Sequence, residues 1–287
     1  MMNTLKWDYS AYSLKGLNRR QQTLLTTAFV GVLLLCVILG GLLLSSDRIA
    51  TNLEARNQPP SLQHPFGTDW LGRDMLTRTV KGLTLSIGVG LIAAIISTGI
   101  ALVLGIAAAT LGKGVEAAVT WLVDLFLSIP HLVSLILIAV ALGGGMRGVV
   151  TGVALTHWPS LTRVVRGEVL QLRSAEYVQI SRRMGRSRWW IATQHILPHL
   201  IPQLMVGLIL LFSHAILHEA SITFLGFGLS PHQPAIGIIL SESMRYLSVG
   251  MWWLAFFPGL SLLIIVRLFD ILGDNIRRLM DPHSAHS

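Results

Sequence analysis

The sequence predicts an all-α polytopic membrane protein with six transmembrane helices, and three observations carry that prediction. Apolar residues make up 52% of the 287 and charged residues only 13%, about half of the roughly 25% that a soluble domain carries. The mean hydropathy is +0.63. The apolar residues also gather into runs of about 20, the length a helix needs to cross the hydrocarbon core.

The first run, Leu24–Leu44, is uncharged and follows a polar start over residues 1–23. It has no small-residue cleavage site and reads as a retained first helix over 24–45. A polar, proline-containing loop follows over 46–82, too long for a mere connection. The second run, Leu83–Leu111, is rich in Gly and Ala, which favours close helix packing. The third, Ala117–Leu142, contains Asp124 and Pro130, and a shorter fourth, Val149–Val165, contains His157 and Pro159. A second long loop, about 166–199, carries the densest positive charge in the chain. Leu200–Leu225 and Met251–Leu272 complete the set, so residues 83–273 form a core domain of five helices, with a tail over 274–287. The single cysteine, Cys36, lies in the first apolar run, which excludes an internal disulfide framework and leaves a small hydrophobe.

Lysine and arginine set the orientation. With the N-terminus inside, the cytoplasmic side holds 14 of them and the outer side, from Arg48 to Arg245, holds 7. That bias places both termini in the cytoplasm. Topology therefore accounts for most of the formal net charge of +8, and nucleic acid is not needed as a partner.

Within the inner loop, Leu170, Tyr177, Ile180 and Met184 recur at helical spacing and Gly185 follows as a stop signal. A basic amphipathic helix of this kind either rests on anionic lipid or docks into another protein. The segment resembles the coupling loop of ABC importer permeases, whose pattern is Glu-Ala-Ala, a Gly three residues on, and a later Ile-x-Leu-Pro. Gly185, Leu197 and Pro198 fall on that pattern. Gln179, Ile180 and Ser181 stand at the Glu-Ala-Ala positions and His195 at the Ile. The resemblance implies that these residues, with Glu176, couple the chain to an ATPase.

The outer loop is similar to the same permeases in more detail. His64-Pro-Phe-Gly-Thr-Asp69-Trp-Leu-Gly-Arg73-Asp74 resembles the segment before the second helix in the nickel, dipeptide and oligopeptide group. Glu219-Ala-Ser-Ile-Thr-Phe-Leu-Gly226-Phe-Gly228, Phe257-Pro-Gly259, Leu272-Gly-Asp274 and Asp281-Pro282 also fit that group. The resemblance spans about Gln63 to Pro282 and points to the C-type subunit of a heterodimeric pair. It implies a type I ABC importer permease fold with a cytoplasmic coupling helix, in the bacterial inner membrane. It further implies a second permease subunit, two cytoplasmic ATPase subunits that hold ATP and Mg, and an extracytoplasmic solute-binding protein. This chain is expected to bind no cofactor and to catalyse no reaction. The nearest approach to a Walker A loop, Gly67 to Gly72, continues Arg73-Asp74 where Lys and Ser or Thr would be required.

Ionisable groups at bilayer depth are costly and mark functional positions by default. His214 and His218, spaced i, i+4, share one helical face and read as ligands of a metal in transit, since imidazole suits Ni, Zn, Cu and Fe. His157 joins them on the expected substrate pathway if the fourth and fifth helices meet, and Glu219 lies about 100° round the helix from His218. The competing reading has each imidazole donate to a backbone carbonyl. His157-Trp158 and His214-x-x-x-His218 are closer to nickel permeases than to peptide permeases, which makes nickel or a metal chelate the expected solute and a di- or oligopeptide the alternative. A metalloprotease would need His-Glu-x-x-His, and here Glu219 follows the second histidine. Asp124 and the Arg267/Asp270 pair lie near helix ends, where salt bridging suffices.

Overall fold

The computed structural model describes residues 18–280. Residues 1–17 of the N-terminal tail, with Lys6 and Lys15, and the end of the C-terminal tail from Asp281-Pro282 lie outside the described residues. Among those described there is no strand, only an isolated bridge between Thr68 and Asp74. Ten α-helices carry the fold: α1 Arg19–Leu43, α2 Met75–Thr110, α3 Lys113–Ser128, α4 His131–Ala141, α5 Gly145–Ser174, α6 Glu176–Arg183, α7 Arg188–Ile191, α8 Leu197–Phe224, α9 Ile236–Leu247 and α10 Trp253–Met280.

Each predicted span has a helical counterpart, but four of them differ in form or in boundary. Among the described residues four helical stretches are long and apolar enough to cross a membrane: α1, α2, the continuous stretch Trp189–Phe224 that ends in α8, and α10. The third run is a broken pair, because Pro130 has no amide hydrogen to continue the ladder, and α3 and α4 meet there at 96°. The fourth run belongs to a 30-residue helix, α5, which is too polar to qualify on apolarity. Its central residues, including Val153, Thr156, His157, Trp158 and Thr162, are buried, so it is solvated by protein rather than lipid. The fifth predicted boundary, Leu200, moves back to Leu197, and the second moves from Leu83 to Met75.

The long helix α2 is the axis of the bundle. α5, α8 and α1 pack along it, and α10 packs on α8, α1 and α9. Small residues permit the close approaches: a Cβ on Gly105 would stand 2.6 Å from Val165 Cγ1 and 3.2 Å from the Arg166 amide. Gly105→Leu is expected to separate α2 from α5 and to destabilise by roughly 1–3 kcal/mol, as overpacked cores do. Gly88→Leu, with open space at its Cβ, should leave the thermal midpoint of the purified protein unchanged. Equal midpoints for the two variants would sink this account of the α2–α5 contact. α1 is the least embedded helix, with only Val30 and Leu34 buried, and its exposed Leu25, Phe29, Val32 and Leu35 present an apolar surface to lipid.

The outer loop is folded, with short 3₁₀ turns at Ser46–Ile49 and Leu53–Ala55. Asp74 caps α2 by accepting from the Thr77 amide at 2.9 Å and the Thr77 hydroxyl at 2.7 Å, which supplies one of the orphan groups of a helix start. Its other oxygen lies 2.9 Å from His64 Nδ1. Asp69, fully buried, accepts from Arg73 Nε and Arg78 Nη1, both at 2.7 Å. Arg78 reaches on to Glu242 of α9 at 2.7 Å. Trp70 stacks on Tyr246 with ring centroids 4.6 Å apart. The motif that resembles the permease group is therefore a clasp between the head of α2 and α9.

Candidate functional site

The break at Pro130 turns what would have been a mid-span residue into the first residue of α4. His131 is that residue, and it faces α5 and α8. His157 comes from the middle of α5 and His218 from α8. The ring centroids of His131 lie 4.4 Å from those of both His157 and His218, and the last two are 5.0 Å apart. One ring nitrogen from each lies within 4.8 Å of those of the other two.

Backbone bonds fix two of the rings. His157 Nδ1 is 2.8 Å from the Val153 carbonyl and His218 Nδ1 is 2.8 Å from the His214 carbonyl. A carbonyl only accepts, so each Nδ1 carries the hydrogen and each Nε2 presents a lone pair. The Nε2 atoms of His131 and His157 are buried without a hydrogen-bond partner. His157 is 8% exposed, while His131 and His218 are half-buried.

The expected pairing of His214 with His218 takes a different form in the structure. The two do share a helix face, and His214 is near enough to act electrostatically on all three rings, but it is exposed and its ring nitrogens are not among those gathered within 4.8 Å. It meets His218 through its backbone carbonyl. His157 joins His218 as expected, and His131 is the member that sequence reasoning missed. The available signal was Pro130-His131: a proline inside an apolar run removes a ladder hydrogen bond and can break the helix there, although Pro159 and Pro258 sit inside unbroken helices. Glu219 lies elsewhere, fully buried against α2. Its Oε1 accepts from the Thr223 hydroxyl at 2.9 Å, Ser86 stands beside it, and its Oε2 has no hydrogen-bond partner. It belongs to the α2–α8 interface.

The inner loop forms a second candidate surface. α5 runs on to Ser174, so Leu170 belongs to that helix, and the expected stripe from Leu170 to Met184 is divided at Ala175. Glu176 opens α6, and Gly185, at φ +79°, ends it in the left-handed region that favours glycine. Val178 faces inward, whereas Ile180 is 57% exposed and Met184 74%. The outer face of α6 thus presents apolar side chains beside Arg182 and Arg183.

The other face is tied down. Gln179 Nε2 donates to the Arg173 carbonyl at 2.8 Å, and the Ser181 hydroxyl is 2.9 Å from His195 Nε2. The Tyr177 ring lies 5.4 Å from that of His195 and 5.8 Å from that of His199. A π-helical turn over Ala192–Ile196 leads into Leu197 and Pro198 in the first turn of α8, where a missing amide hydrogen costs nothing. α6 therefore bears directly on the foot of α8, the helix that carries His218. Of the polar groups near helix ends, Asp124 pairs with Arg163 at 2.5 Å and Arg267 with Asp270 at 3.5 Å, as expected for structural ion pairs.

Known proteins resemble the chain over most of its length. The family described as "Binding-protein-dependent transport system inner membrane component" matches residues 101–283. The "Probable D,D-dipeptide transport system permease protein" of Escherichia coli (strain K12) is 34% identical over 92% of this chain and 88% of its own length. The dipeptide transport system permease protein of Bacillus subtilis (strain 168) is 30% identical over 98% of this chain and 88% of its own length. Among solved structures, an inward-facing form of the MetNI methionine ABC transporter aligns with a TM-score of 0.60 at 20% identity, covering 72% of this chain and 98% of that chain. That likeness shows a shared fold. Nickel is absent from these relatives' names, which carry peptides instead.

Proposed function

Because this chain belongs to the family of binding-protein-dependent transport system inner membrane components, we propose that it forms one transmembrane half of an ATP-driven importer for di- or oligopeptide-sized solutes. One observation carries the peptide class: relatives named as dipeptide permeases match 92% and 98% of the chain. This reverses the order in which the sequence ranked nickel and peptides. A second permease subunit completes the pathway, two ATPase subunits dock on the cytoplasmic side, and an extracytoplasmic binding protein delivers the solute. Both termini lie in the cytoplasm.

The geometry of α6 supports the mechanism. A short helix with an exposed apolar face and a tied inner face can transmit a push. Closure of the ATPases moves α6, the contacts of Tyr177 and Ser181 with His195 and His199 carry that movement to α8, and α8 shifts against α2 and α5. The two states are alternately open to either side of the membrane. The chain itself needs no nucleotide site.

The reading is tested by reconstituting the complete importer in proteoliposomes with its binding protein and measuring uptake of a labelled dipeptide, with and without ATP. ATP-dependent accumulation supports it. Accumulation of free Ni²⁺ with indifference to dipeptides would replace the peptide solute by the metal.

A further inference from the structure

The three imidazoles at the meeting of α4, α5 and α8 do more than pack. A buried imidazole nitrogen without a partner leaves a lone pair unsatisfied in a low-dielectric site, which proteins rarely leave uncompensated. Here two such atoms, His131 Nε2 and His157 Nε2, sit together, and His218 faces both rings. Mutual hydrogen bonding among the three does not resolve this. With His157 and His218 holding their hydrogens on Nδ1 for the carbonyls of Val153 and His214, those two rings offer only acceptors to each other, and the single N–H of a neutral His131 can serve at most one of them.

Metal-binding histidines show this same arrangement, one ring nitrogen donating to a carbonyl and the other left free for the ion. Three nitrogens within 4.8 Å of one another are close to the roughly 3.3 Å separation that a tetrahedral ion with bonds of about 2.0–2.1 Å requires.

We propose that His131, His157 and His218 bind one divalent transition-metal ion through their Nε2 atoms, leaving a fourth position open to a donor atom of the transported solute. Three protein nitrogens with an open position is the ligand count of exchangeable rather than closed structural sites. All-nitrogen neutral ligation selects ions of the Zn, Ni, Cu and Co type over Mg and Ca, which take oxygen. The half-burial of His131 and His218, with His214 exposed one turn away on α8, leaves the site reachable from one side. A solute that is itself a chelating peptide could then hand its metal-bearing end to the open position. Only that last step rests on the importer reading, whereas the metal site stands on the three rings.

The test uses the assembled importer carrying a non-histidine affinity tag, purified in nanodiscs and dialysed against Zn²⁺ or Co²⁺. Elemental analysis should find one ion per copy of this chain above a chelator-washed control. The Co²⁺-loaded wild type should show visible d–d bands of a four-coordinate site, and X-ray absorption of the Zn²⁺ form should show imidazole scattering from three rings. His131→Gln, His157→Gln and His218→Gln should each weaken binding by roughly tenfold or more, whereas His214→Gln should not. No ion above the control in the wild type, an octahedral all-oxygen spectrum, or retention of binding in His157→Gln would overturn the proposal. Loss in His214→Gln equal to that in His218→Gln would restore the i, i+4 pair in its place. The wild-type spectra decide the matter even where a variant fails to assemble. Dipeptide uptake by the same preparation separates the two ideas: uptake without a metal site removes this inference alone, and a metal site without dipeptide uptake removes the peptide reading alone.

Discussion

Replacing Ile180 and Met184 together with glutamate is expected to abolish solute import while leaving the chain in the membrane at normal abundance. Both side chains are more than half exposed, so the fold loses almost nothing from the change. Fully burying a side chain of that size contributes about 1.5–3 kcal/mol, so covering the exposed parts of these two contributes about 2–4 kcal/mol. Each 1.4 kcal/mol is tenfold in affinity, so docking of an ATPase on α6 should weaken by roughly two powers of ten, before the cost of desolvating two carboxylates is added. ATP hydrolysis by the complex should cease to respond to solute-loaded binding protein. The competing account, in which α6 rests on anionic lipid, is separated by Ile180→Lys/Met184→Lys. Lysines strengthen adsorption to an anionic surface but disrupt an apolar docking face. Import retained in the lysine variant and lost in the glutamate variant would mean that α6 lies on lipid.

Apolarity made most of the helical scaffold legible, because a spanning helix must be apolar along its length whatever its neighbours are. What escaped were features that depend on a partner distant in sequence. Arg78 and Lys81 read as loop charges, which moved the expected start of the second helix to Leu83. In the structure Arg78 lies inside α2 and is only 3% exposed, because Asp69 and Glu242 neutralise it. Of the 30-residue α5 only Val149–Val165 stood out as a run, since the rest is too polar and protein rather than lipid surrounds the helix. α9, 12 residues long, is too short to register as one. The histidine site was half legible: the i, i+4 rule found His218, and the condition that the fourth and fifth helices meet found His157. His131 depended on the 96° bend at Pro130, and helical periodicity within a single run holds no information about such a bend. His214 satisfied the same spacing rule as His218 and still fell outside the group, because spacing fixes a shared face and not which neighbour that face meets.

Asp69→Ala is expected to be the most destabilising single substitution in the outer half of the chain. Asp69 and Glu242 balance Arg73 and Arg78, so the four charges sum to zero at the clasp between the outer loop, the head of α2 and α9, which shields Asp69 completely and Arg78 almost so. Removing one partner of a buried pair leaves an uncompensated charge and costs about 3–5 kcal/mol. The change also strips the Leu71 and Arg73 amides of their shared acceptor, Asp69 Oδ1, at 2.9 and 3.0 Å. Asp69→Asn keeps an oxygen for those amides but removes the charge, and so should fall between wild type and alanine. Glu242→Gln should cost least, because Glu242 is 26% exposed and water screens its loss. The thermal midpoint of the purified protein is the measurement, with a fall of roughly 10 °C expected for alanine. A double-mutant cycle identifies the cause. If charge imbalance dominates, adding Arg78→Met to Asp69→Asn should recover part of the loss, because the orphaned cation disappears with it. Additive losses would instead mean that the clasp acts through shape, with Trp70 on Tyr246 holding α9 to the head of α2 and the charges contributing little.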